Sequence, residues 1–96
     1  MAEGEAPIAV RARITGRVQG VYFRAWTEEE ATRRGLAGWV QNMPDGSVLA
    51  QFVGPAAVVG EMLTACQQGP RDARVEGVVA EPVSPVPPLQ GFRINR

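Results

Sequence analysis

Histidine and lysine are both absent from this 96-residue chain, and cysteine occurs once. Without histidine there is no imidazole acid–base catalysis, no phosphohistidine chemistry and no ordinary zinc ligation. Without lysine there is no Walker-type phosphate site. A single thiol, Cys66, forms neither an intrachain disulfide nor a cysteine-cluster metal site. No apolar run approaches the roughly 18 residues of a membrane-spanning helix. The opening "MAEGEAPIAV" lacks the basic stretch and apolar core of a secretory leader. A cytoplasmic protein with no membrane partner is expected. All ten basic residues are Arg, and ten acidic residues balance them to a net charge of zero. A balanced chain has no broad basic field, so nucleic acid is not expected as a partner.

What remains is ordinary for a folded protein, 45% hydrophobic and 21% charged. The length suits a single domain over residues 1–96, monomeric by default, with 1–7 as a flexible lead. A chain of this size buries roughly 60–65% of its unfolded surface, enough for one core without a staple.

Residues 8–15, "IAVRARIT", alternate Ile8, Val10, Ala12 and Ile14 against Ala9, Arg11, Arg13 and Thr15, a period of two that predicts a half-buried strand. From Phe23 to about Arg34 the period turns helical, with Phe23, Thr27, Ala31 and Arg34 along one side. "TEEEATRR" carries acids early and arginines late, as the helix dipole favours, and Gly35 suits a C-terminal cap. "GWVQN" and "SVLAQFV" read as two strands around the turn "MPDG". Gly54-Pro55 opens a second helix whose stripe is Val58, Met62, Ala65 and Cys66, supported by Val59 and Leu63. Gly60 weakens that helix, and Gly69-Pro70 ends it. "ARVEGVVAE" predicts a further strand. "PVSPVPPLQ" is a connector, because its four prolines lack backbone donors. "GFRIN" offers a last short strand. Phe23, Trp39, Phe52 and Phe92 are expected in the core, and Cys66 is expected to be a buried, unreactive thiol.

The order β-α-β-β-α-β with an added C-terminal strand predicts an α+β class, ferredoxin-like α/β sandwich, two helices on one face of an antiparallel sheet. Many functions share that layout, so chemistry has to come from a site.

One stretch proposes a site. In "GRVQGVYFR", residues 16–24, Gly16 and Gly20 bracket a loop between a strand end and a helix start, and Arg24 falls in the first helical turn. Helix N-termini offer unpaired amides and partial positive charge, and glycines let preceding amides curl toward one anion. A guanidinium closes such a cradle with two parallel hydrogen bonds. The loop has no nucleophile. In a cysteine phosphatase motif a thiolate lies six residues before the Arg, and Val18 stands there. Water is therefore the nucleophile of any reaction here. No acid is at hand to protonate a leaving group, which favours one that departs as a stable anion. A carboxylate is such a group and an alkoxide is not, so the loop points to a mixed carboxylic–phosphoric anhydride. The competing reading is a plain turn with a solvated arginine. Asn42 at a strand end is open to two readings as well, a turn residue bonding local backbone or an amide that holds a water.

Both stretches together resemble the acylphosphatase family. Ile14-x-Gly16-x-Val18-Gln19-Gly20-Val21-x-Phe23-Arg24 matches its first signature, and Gly38-Trp39-Val40-Gln41-Asn42, Gly46-x-Val48 and Gly54 match its second. The resemblance covers about residues 8–96. It implies hydrolysis of acyl phosphates to a carboxylate and inorganic phosphate, with no metal and no cofactor. It implies that Arg24 is the catalytic arginine and that Asn42 positions the attacking water. The amides of Gly16, Arg17, Val18, Gln19, Gly20 and Val21 would hold the phosphoryl group. Met43 departs from the family, where a small hydroxyl residue is frequent, Tyr22 occupies a variable position, and the Pro-rich connector is unusual. Two other readings stay in view. A non-catalytic anion-binding module of the same fold would bind phosphate without turnover. A ferredoxin-like RNA-binding domain is disfavoured because the first strand has Arg11 and Arg13 but no aromatic residue.

Overall fold

The computed structural model describes residues 6–96, so most of the flexible lead expected over 1–7 lies outside the described residues. The chain forms β1 (Ile8–Arg17), α1 (Phe23–Arg33), β2 (Ala37–Asn42), β3 (Val48–Gly54), α2 (Ala56–Cys66), β4 (Arg74–Pro82) and β5 (Phe92–Ile94). This is the order expected from periodicity, and the fold is the ferredoxin-like α+β sandwich.

The five strands lie in the order β4-β1-β3-β2-β5. β1 pairs antiparallel with β3 and β4, and β2 pairs antiparallel with β3. β5 runs parallel to β2, so the sheet is mixed rather than wholly antiparallel. The connector explains the difference. β4 ends at the sheet end opposite the cradle loop, and residues 83–91 cross beneath β1, β3 and β2 to the far edge. Four strand spacings amount to about 19 Å, within reach of nine extended residues. The chain then turns upward alongside β2, in the same direction.

The core lies between one face of the sheet and the two helices. Ala12, Ile14, Val40, Val48, Ala50 and Phe52 point into it from the strands, all with no exposed surface. α1 contributes Phe23, Thr27 and Ala31 at i, i+4 and i+8, and Thr27 Oγ1 satisfies itself by donating to the Phe23 carbonyl at 2.8 Å. α2 contributes Val59, Met62 and Cys66. Burial pushes the Cys66 thiol up to about 12, which makes it the inert core residue its position in the stripe implied. The first turn of α1 holds no acid. Its glutamates lie further along, where Glu30 bonds Arg34 and Arg33, and these partners hold its carboxyl below the ordinary value.

Phe23 and Phe52 are buried, and Phe92 stacks on Phe52 at a centroid distance of 5.7 Å. Trp39 departs from expectation. Val40 takes the core-facing position, so the neighbouring Trp39 emerges on the open face of the sheet, half-buried beneath the Arg11 guanidinium at 5.7 Å. Gly38 is forced by packing. Its φ is +141°, and a Cβ there would meet the Gln51 carbonyl oxygen at 1.7 Å.

Candidate active site

The loop after β1 closes at both ends on glycine. Gly16 has φ +117° and touches β4 so closely that a Cβ would sit 2.2 Å from the Arg74 carbonyl oxygen. Gly20 has φ +77° with open space around its missing Cβ. Between and beyond them, Val18 and Val21 bury their side chains in the core and anchor the loop from below. Tyr22 follows in the left-handed region at φ +63°, and its side chain adds no capping hydrogen bond to α1.

Among the described residues, none of the backbone N–H groups of residues 18–24 donates a hydrogen bond within the chain. A helix start leaves its first donors unpaired, and here the preceding loop extends that run, so a continuous set of free amides is available to an anionic acceptor from outside. The helix dipole adds partial positive charge at the same place, with no acid in the first turn to cancel it.

Val18, Gln19, Gly20, Arg24 and Asn42 line one pocket of about 400 Å³, with Tyr22, Phe23, Ala25, Ile94 and Arg96 completing its wall. Arg24 comes from the first turn of α1, and Asn42 from the last position of β2. Arg17 and Val21 line a second groove on the other side of the same loop. Gly16 lies in the β1–β4 ladder at the base of the loop.

Sequence reasoning missed two features. The first is the Gln19 side chain. Its Nε2 donates to the carbonyls of Met43 at 2.9 Å and Ser47 at 2.8 Å, which straps the loop to the β2–β3 turn. Asn42 sits at the base of that turn, so this one amide fixes Asn42 relative to the loop. The turn is itself braced. Met43 N–H donates to the Ser47 carbonyl at 2.8 Å, and Asp45 accepts from the Ser47 hydroxyl and amide and from Arg13. The Ser47 hydroxyl, then its amide, then Arg13 hold the Asp45 carboxyl below its ordinary value. The second feature is the contribution of Ile94 and Arg96, which arrive because β5 lies next to β2 and points toward the loop. A glutamine in the middle of the loop signature was the available signal for the strap. Nothing local signals the second feature.

Comparison with known proteins places the chain in a family. The family model for acylphosphatase matches residues 10–94. The acylphosphatase of Rhizobium meliloti (strain 1021) is 52% identical over 88 residues, 92% of this chain and 93% of that protein. Among solved structures, the acylphosphatase from Bacillus subtilis has a TM-score of 0.90 at 31% identity, covering 93% of this chain and 99% of the other. That from Coxiella burnetii has a TM-score of 0.91 at 26% identity, covering 97% and 99%.

Proposed function

Because the chain belongs to the acylphosphatase family and is an acylphosphatase hydrolase, we propose that it splits acyl phosphates by direct attack of water within the loop pocket. The observation that carries this reading is the run of unpartnered amides in residues 18–24, on the same pocket as Arg24 and Asn42. The phosphoryl oxygens bind to the unpartnered amides that follow Arg17, from Val18 through Val21, in a loop shaped by Gly16 and Gly20, and to the Arg24 guanidinium. Asn42 accepts a hydrogen bond from a water through its side-chain oxygen and holds it on the phosphorus. The water oxygen forms the new P–O bond, the bond to the acyl oxygen breaks, and its electron pair leaves with the carboxylate. The water proton passes to solvent or to the product phosphate.

The chemistry asks little else of the protein. Phosphoryl transfer passes through a loose transition state whose charge spreads over the phosphoryl oxygens, so positioned donors provide most of the stabilisation. A carboxylate leaves without protonation, which matches a pocket with no acid among its lining residues. In this reading the enzyme is a cytoplasmic monomer of one domain that needs no cofactor and no nucleic acid. Among the described residues, no helix is long and apolar enough to cross a membrane.

The test is phosphate release from benzoyl phosphate in EDTA, with p-nitrophenyl phosphate alongside. Turnover of the anhydride alone is expected. Arg24→Ala and Asn42→Ala should each lower kcat/KM by about 10²–10³, the usual effect of removing one oriented transition-state donor. Arg24→Lys should recover little, because an ammonium cannot reproduce the two-pronged fork. Near-normal rates in both alanine variants would refute the assignment.

A further inference from the structure

A second groove, of about 320 Å³, opens on the opposite side of the cradle loop, lined by Arg17, Gly20, Val21, Arg71, Asp72 and Arg74 among others. Arg17 and Arg74 stand directly opposite each other in the β1–β4 ladder. Their Cβ atoms are then about 4.5–5.5 Å apart on one face, a position where like charges repel. A bulge between Thr15 and Gly16 creates this pairing. In unbroken register Arg17 would face Val75. The close approach of Gly16 to the Arg74 carbonyl locks the arrangement. Arg71 adds a third guanidinium from the loop before β4. Among the described residues, none of these three arginines forms an ion pair, whereas Arg13, Arg33 and Arg34 each meet a carboxylate.

We propose that this groove is a second anion site, separate from the catalytic pocket, and that it binds a diphosphate group, either free or as the end of a larger molecule. Three guanidiniums against one carboxylate, Asp72, leave a surplus of two positive charges. Each guanidinium offers up to five donors in a fixed fork, so the site suits a ligand with several charged acceptor oxygens rather than one carboxylate. The groove shares Gly20 with the catalytic pocket and takes Arg17 and Val21 from the same loop. An anion bound here places negative charge behind the amides that face the substrate, so it raises the KM for an acyl phosphate.

The experiment reads binding, not turnover, so it stands apart from the proposed reaction. Pyrophosphate in EDTA is titrated calorimetrically into Arg24→Ala, whose catalytic pocket keeps its loop amides but has lost its guanidinium, so the groove's share of the binding is read from the further arginine substitutions. One pyrophosphate should bind, more weakly as salt rises. Affinity should fall about tenfold or more in Arg24→Ala carrying Arg71→Gln and Arg74→Gln, given the strength of charged hydrogen bonds. Inorganic phosphate should bind Arg24→Ala at least about tenfold more weakly than pyrophosphate by the same reasoning. A nucleoside diphosphate binding more tightly than pyrophosphate identifies an esterified ligand, and equal or weaker binding identifies a free one. The Arg71→Gln and Arg74→Gln pair alone should melt no lower than the parent, since a like-charge pair is removed. Arg71→Gln alone, outside the ladder, provides a second variant. The proposal falls if Arg24→Ala binds no pyrophosphate, if the arginine substitutions leave binding unchanged, or if phosphate binds as tightly as pyrophosphate.

Discussion

Replacing Gln19 should separate the loop from the turn without touching any group placed on the substrate by its side chain. The wild-type amide makes two hydrogen bonds, at 2.9 Å to Met43 O and 2.8 Å to Ser47 O. A typical net contribution is about 0.5–1.5 kcal/mol each, so Gln19→Ala should lose about 1–3 kcal/mol of stability. For a domain of this size that corresponds to a fall in Tm of about 5–15 °C. Ser47 O keeps its bond from Met43 N–H at 2.8 Å, which argues for the lower half of the range. Gln19→Glu gives the sharper comparison. Its carboxylate cannot donate and faces two carbonyl oxygens, so at neutral pH it should be less stable than Gln19→Ala. Calorimetric melting and kcat/KM for benzoyl phosphate are measured on all three proteins. Both substitutions should lower kcat/KM as Asn42 loses its fixed relation to the loop. A Gln19→Glu protein as stable and as active as wild type would refute the strap.

Gly60 on α2 is exposed with open space around its missing Cβ, so Gly60→Ala should raise stability by about 1 kcal/mol and Tm by about 4–8 °C. Gly38→Ala should do the reverse and abolish stable folding, since its Cβ would overlap the Gln51 carbonyl, and expression with circular dichroism will report it. Cys66, with its thiol pushed up to about 12, should resist iodoacetamide at pH 8 until denaturant is added. Glu30 and Asp45 both titrate below their ordinary values, 4.5 and 3.8. Depressed carboxyls stabilise the fold above the unfolded value and lose that effect as pH falls through the folded one. The Tm should therefore be flat near neutrality and drop below about pH 4, with a shallower drop in Glu30→Gln.

Much of this architecture was legible because it is local. Alternation in β1, the Phe23-Thr27-Ala31 stripe and the Pro-Asp-Gly turn each express a period or a dihedral preference that a few residues fix. The glycines at 16 and 20 also marked where the loop backbone curls. The remaining features depend on distant pairings. Nothing near Phe92 says that its strand joins β2 in parallel, and hence nothing says that Ile94 and Arg96 reach the pocket. Trp39 and Val40 are adjacent apolar residues, and only the sheet decides which faces the core. The loop and Asn42 could be named from their types, but their meeting on one pocket depends on Gln19 reaching across to another element.

The place of β1 in the sheet has a consequence for synthesis. It is the first strand made, yet its partners begin only at Val48 and Arg74. During that interval both of its edges are bare, and its sequence alternates as a strand ready to join any other. Arg11, Arg13 and Arg17 fall at alternate positions along it. In a nascent chain these charges act as gatekeepers, because two such strands aligned in parallel register stack arginine against arginine. Residues that later line the open face of a finished sheet thus protect the unfinished one from its own copies.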